Sequence, residues 1–143
     1  MEKENKALES FEGIFNCSQS VVGAYSEKFG ISKGDAVRIA AGFGGGIGRT
    51  QGICGAITGG VMVIGLRFFD ETDSVKSKET VYNKTKELVE KFEKRNEYSD
   101  CYKLTGVDFS KEGWTDEFKE QKTKENKCNG YIKDVCKILD EMI

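Results

Sequence analysis

The sequence predicts an all-α fold, a single-domain helical bundle over residues 1–143 with a glycine-rich central segment. Three observations carry that expectation. The chain has no proline to interrupt a helix, and it is rich in Lys, Glu and Leu, which are good helix formers. Capping residues that open helices recur along it. In the second half, apolar residues return at helical spacing and need a partner surface.

Each element has its own local signal. Asn16 with Gln19 three residues on is a capping box that opens a helix at Cys17, and Gly30 supplies a left-handed stop. Val21, Ala24 and Tyr25 follow Cys17 on one face, which turns its sulfur inward. Ser32 with Asp35 opens a short helix through Ala36, Val37 and Ala40, closed by Gly42. A third helix is expected to begin between Thr50 and Ile53 and to run to about Phe68. Beyond a polar turn at 70–77, Val81, Thr85, Leu88 and Phe92 mark a core-facing helix, with Tyr82 and Val89 beside them. A short turn follows, capped by Ser99, with Cys101 in its first turn and Gly106 ending it. Residues 113–127 are highly charged, with Trp114 and Phe118 one turn apart, and read as a surface helix or flap. The last helix carries Cys128, Ile132, Val135, Leu139 and Met142 as a narrow seam, with Cys128 at its beginning.

The two halves differ in charge. Residues 11–69 contain 8 charged side chains and residues 70–143 contain 33, so the first half should supply the buried centre and the second should wrap it as one domain. Overall, 22 Lys and Arg face 24 Asp and Glu, a net charge of -2 with no basic run, which excludes a nucleic-acid partner. The absence of histidine removes Ser-His and Cys-His nucleophile pairs, imidazole metal ligands and the Cys-x-x-Cys-His haem attachment sequence. The N-terminus carries charges where a signal peptide has its apolar core, so the expected location is cytoplasmic. In a reducing compartment the five cysteines are expected to be thiols, metal ligands or redox centres rather than structural bridges.

Residues 40–65 gather most of the glycines around Cys54. A phosphate loop fails there: the position that requires the first glycine holds Phe43, and the required lysine is Arg49. The dinucleotide fingerprint Gly-x-Gly-x-x-Gly is missing as well. The uncharged run between Arg49 and Arg67 is 17 residues and opens on polar ones, so it reads as a buried helix with no membrane insertion. Close packing is what remains. Gly44, Gly48, Gly52, Ala56 and Gly60 lie four apart and would let another helix approach closely, within the core or across a homodimer interface. Close approach would also let a second sulfur or a ligand come near Cys54, which stands beside Gly55. Gly44, Gly45 and Gly46 leave backbone amides unshielded, as an anion nest requires.

Cys17, Cys54, Cys101 and Cys128 are each expected within the first turn or two of a helix, where free N–H groups and the helix dipole favour a thiolate and lower the pKa. Cys136 falls mid-helix between Val135 and Leu139 and reads as a small core residue. No two of the four form Cys-x-x-Cys, and the spacings match no zinc ribbon or ferredoxin run.

The stretches "NCSQSVVGAYSEKFGIS", "AAGFGGGIGRTQGICGAITGGVMVIGL", "CYKLTG" and "CNGYIKDVCKILDEMI" resemble the C_GCAxxG_C_C family of small redox proteins. Its Cys-Gly-Ala-x-x-Gly motif is matched by Cys54, Gly55, Ala56 and Gly59. The resemblance implies that the four family cysteines are Cys17, Cys54, Cys101 and Cys128, with Cys136 extra and residues 107–127 an insertion. It implies redox activity without fixing a reaction. Three functions follow as expectations. The first is thiol–disulfide chemistry through those four cysteines, with a redox partner or small-molecule substrate. The second is a metal or iron–sulfur site using the same four as ligands, with iron–sulfur or zinc as cofactor. The third is a non-enzymatic helical interaction module in which the small-residue stripe forms the interface.

Overall fold

The computed structural model describes residues 2–143 as a single all-α domain of eight α-helices, with no β-strand among the described residues. An amphipathic helix α1 (Glu2–Glu12) comes first, burying Ala7 and Phe11 one turn apart. Helix α2 (Cys17–Tyr25) starts at the expected capping box: the Asn16 side chain accepts from the Gln19 amide at 2.9 Å, and the Gln19 side chain accepts from the Asn16 amide at 2.9 Å. After a short 3-10 turn, Gly30 takes the left-handed conformation that ends the segment.

Helix α3 (Lys33–Ala40) is capped by Ser32, whose hydroxyl accepts from the Asp35 amide at 3.1 Å. It ends at Ala40, ahead of the Gly42 expected to close it. The chain instead tightens into a 3-10 turn, Ala41–Phe43, and the Gly42 carbonyl accepts from the Gly48 amide. Five successive residues then turn left-handed, Gly45, Gly46, Ile47, Gly48 and Arg49, with φ between 57° and 70°. A left-handed turn costs L-residues roughly 1–2 kcal/mol each, and glycine at three of the five positions removes most of that penalty. The small-residue stripe is therefore not one helical face: only Ala56 and Gly60 share a helix.

Helix α4 (Gly55–Phe68) begins two residues later than expected because Gly52, Ile53 and Cys54 are extended, paired antiparallel with residues 99–101. Helix α4 is the centre of the bundle and packs on α2. A Cβ at Gly59 would lie 2.7 Å from the Ser18 carbonyl oxygen and 2.9 Å from Val21 Cβ, and one at Gly55 would lie 3.1 Å from Cys17 Cβ. The main chains of α2 and α4 thus approach where the motif glycines stand. On the other face of α4, Gly60 receives Leu88 and Val135.

Helix α5 (Ser74–Asn96) buries Leu88 and Phe92 as expected, but Tyr82 lies on its exposed side. The short helix α6 (Cys101–Thr105) is capped by Asp100 rather than Ser99; the Asp100 carboxylate accepts from the Lys103 amide, while the Ser99 carbonyl is taken by the Cys54 amide. Helix α7 (Trp114–Glu120) packs only loosely on the bundle through its backbone. A π-helical turn, Lys124–Cys128, leads into α8 (Asn129–Met142), whose seam of Ile132, Val135, Leu139 and Met142 is buried against α1, α4 and α5. No helix of the described residues is long and apolar enough to cross a membrane.

Candidate functional site

Cys17, Cys54, Cys101 and Cys128 come from four separate stretches of chain, and all four line one cavity of about 340 Å³. Each arrives by a different device. Cys17 is the first residue of α2, held by the capping box. Cys54 is the N-cap of α4 itself. Cys101 is the first residue of α6, and two backbone bonds tie it to the Cys54 segment: the Cys54 amide donates to Ser99 at 2.8 Å and the Cys101 amide donates to Gly52 at 2.7 Å. That register makes Cys54 and Cys101 diagonal neighbours on one side of the two-strand contact.

Cys128 stands at the N-cap of α8, at the beginning of the last helix as expected, but the chain ahead of it is already coiled, because Cys128 also closes the π-turn. The extra residue of a π-turn rotates the side chains that precede it relative to those that follow, and such turns recur at functional sites. Here Cys128 faces Cys17 and carries Lys124 and Lys127 within the same turn.

The glycine stretch forms one wall. Gly45, Gly46 and Gly55 line the cavity, while Gly44 and Gly59 serve close packing behind it. A Cβ at Gly46 would lie 2.7 Å from the Gly52 amide nitrogen and 2.8 Å from Cys101 Cβ, so only glycine lets the Cys101 helix start sit there. At Gly44 it would strike the Asn16 side chain, which caps the Cys17 helix. The glycines around Cys54 therefore bring Cys17 and Cys101 in beside it. Gly48 lies outside this wall, with open space around it.

The opposite wall was only partly legible from sequence. Phe109 stacks on Trp114 with ring centres 4.2 Å apart, Phe118 meets both edge-on, and all three line the cavity. The charged segment read as a surface flap thus covers the cysteines with its aromatic side. Gln51 anchors it: its side-chain amide donates to the Val107 carbonyl at 2.8 Å and its side-chain oxygen accepts from the Phe109 amide at 2.9 Å. Gln51 also places its amide 3.9 Å from the Cys101 sulfur. Arg49, Gln51, Lys124 and Tyr131 had no motif to reveal them; three aromatics at 109, 114 and 118 within a charged run were the available signal.

Helix starts do not lower all four thiol pKa values. Burial pushes Cys54 up to about 12 against the opposing pull of the Ala56 and Ile57 amides, although no hydrogen bond closes between its side chain and the helix start. Burial likewise pushes Cys101 up to about 11 despite the Gln51 amide. Desolvation of a thiolate outweighs a few favourable amides in both cases. The Cys17–Cys128 pair behaves differently. Cys17 is raised by its hydrogen bond to Cys128 and then by burial, while Cys128 is lowered by the Cys17 thiol and then by Lys124 and Lys127. The pair favours the proton on Cys17 and negative charge on Cys128, which Lys124 and Lys127 support.

All five cysteines are free thiols, and among the described residues no group of three or more His, Cys, Asp or Glu is spaced to hold a metal ion. Cys136 stands apart in the core, fully buried, its backbone carbonyl accepting from the Tyr25 hydroxyl at 3.1 Å. No curated protein and no solved structure was found to match the chain. A family model described as "Putative redox-active protein (C_GCAxxG_C_C)" matches residues 15–142. That span takes in all four cavity cysteines and both walls around them, and the chain belongs to the C_GCAxxG_C_C family.

Proposed function

We propose that this protein performs thiol–disulfide exchange, with Cys128 as the attacking sulfur, Cys17 as its resolving partner, and Cys54 and Cys101 as a second pair. The observation that carries this reading is the convergence of four thiols from distant stretches of chain on one solvent-reachable cavity. The Cys128 thiolate attacks one sulfur of a disulfide R–S–S–R′, forming Cys128–S–S–R and expelling R′–S⁻. Cys17 gives its proton to R′–S⁻, and its sulfur then attacks Cys128 to form the Cys17–Cys128 disulfide and release R–S⁻. Two cysteine sulfurs lose two electrons and the substrate disulfide gains them.

Cys54 and Cys101 suit the second role. Diagonal neighbours sit with Cα atoms roughly 7–8 Å apart, whereas a disulfide needs about 4.4–6.8 Å, so bridging them requires a shift of the 52–54 segment. Their high pKa values keep them protonated while Cys128 reacts.

An anaerobic thiol count with and without mild oxidant, paired with metal analysis of the same sample, tests the reading. Loss of two thiols, then four, restored by reductant in metal-free protein, is the expected result. Stoichiometric iron or zinc with the thiols masked would instead assign the four cysteines to a metal centre. Five unreactive thiols without metal would leave the interaction module.

A further inference from the structure

The cavity has a charge pattern that exchange chemistry alone does not require. Its lining includes Arg49, Lys119 and Lys124 and no acidic side chain. None of the three cations is in a salt bridge among the described residues. Two of them rest on aromatic faces instead: the Arg49 guanidinium lies 5.3 Å from the Trp114 ring centre, and the Lys124 ammonium 4.6 Å from that of Phe11. An aromatic face positions a cation without cancelling its charge, so all three remain free to meet an anion. They also sit at the mouth, Arg49 and Lys119 exposed and Lys124 half-buried, while three of the four cysteines are buried at the floor.

Shape and lining narrow the ligand. At about 340 Å³ the space lies at the small end of the range for organic-ligand pockets, about 300–1,000 Å³, and is far larger than one inorganic oxyanion needs. Between mouth and floor the walls are Phe109, Trp114 and Phe118, which favour a carbon chain over a hydrated ion. From this we infer that the substrate is a small organic disulfide bearing a carboxylate, its sulfur end against Cys128 and its carboxylate among Arg49, Lys119 and Lys124. The inference rests on the exchange reading above. The step is the one already balanced, with R and R′ now short chains ending in carboxylates, and the reduced products leave as two anionic thiols.

Three disulfides of similar length separate the outcomes: dianionic 3,3′-dithiodipropionate, neutral bis(2-hydroxyethyl) disulfide and dicationic cystamine. Exchange rates with the reduced full chain are divided by those of 2-mercaptoethanol under the same conditions, which removes intrinsic reactivity. The dianion is expected to lead the dication by about tenfold at low ionic strength, with the preference shrinking as salt rises. The combined substitution Arg49→Gln, Lys119→Gln, Lys124→Gln should erase the preference, whereas Lys137→Gln, which does not line the cavity, should keep it. The salt series on the unaltered protein decides the matter even if the triple variant fails to fold. Equal rates for all three, or a lead for cystamine, would overturn the inference while leaving exchange in place. Exchange no faster than that of 2-mercaptoethanol with any of the three would overturn the exchange reading itself, and the substrate class with it.

Discussion

The two walls of the cavity are built on opposite principles. The glycine wall holds sulfurs by bringing main chains together: Gly46 against Gly52 and Cys101, Gly55 and Gly59 against α2. The flap wall does the reverse, reaching the site through large side chains on a segment that packs loosely, tethered by Gln51. The first wall tolerates no added atom, and the second should tolerate many. The difference assigns geometry of the thiols to one wall and choice of ligand to the other.

Filling the glycine wall should have the largest effect. Gly46→Ala places a methyl group against backbone on a left-handed residue, and should cost about 2–5 kcal/mol from overpacking and left-handed strain together. Gly59→Ala, strained only by contact, should cost about 1–3 kcal/mol. Thermal unfolding of both variants checks this; a Gly46→Ala protein as stable as its parent would remove the argument for the wall.

The next effect is on pH dependence. Cys54 has a native pKa near 12 against an ordinary thiol value of 9.0, so the folded state holds a proton that the unfolded state gives up. The stability it contributes is complete below pH 9 and is lost as pH rises towards 12. Cys101, at about 11, adds to the same loss. Melting temperature should fall across this window, and less steeply in Cys54→Ala. Cys128 moves the other way: alkylation at Cys128 should reach half its maximum rate below the ordinary thiol pKa, and Cys17→Ala should move that midpoint upward. A common midpoint for Cys54, Cys101 and Cys128 would contradict the proposed division of labour.

Flap substitutions should matter less to the fold. Trp114→Ala removes its stacking on Phe109 and its face for Arg49, worth about 0.5–1.5 kcal/mol locally, and should slow exchange with small disulfides while the bundle melts almost unchanged. Smallest of all, Cys136→Ala should leave the number of oxidisable thiols in the cavity at four.

What the sequence disclosed was local. Asn16 with Gln19, Ser32 with Asp35 and Gly106 declare helix ends within four residues, and the α8 seam declares its buried face by spacing. The family motif likewise named the glycines that touch α2. What stayed hidden depends on distant partners. Ile47, Arg49 and Gln51 adopt left-handed backbone that their side chains do not announce, because the turn is fixed by carbonyls at Gly42, Gly44, Gly45 and Gly46. Pairing with residues 99–101 delays α4, and this could not be read from residues 50–54 alone. The π-turn at Cys128 leaves no compositional mark, and the flap's inner side becomes visible only once Phe109 meets Trp114. Helix-start placement also pointed to lowered thiol pKa values, but neither burial depth, which decides the sign at Cys54 and Cys101, nor the distant partner Cys128, which acts first at Cys17, was written in the local sequence.

The most direct measurement is a linkage map of the metal-free protein after one equivalent of mild oxidant, with free thiols blocked before digestion. The expected product joins the peptide carrying Cys17 to that carrying Cys128, with Cys54, Cys101 and Cys136 recovered as blocked thiols. A first disulfide that includes Cys136, or protein that takes up no oxidant at all, would contradict an exchange site built on Cys17 and Cys128.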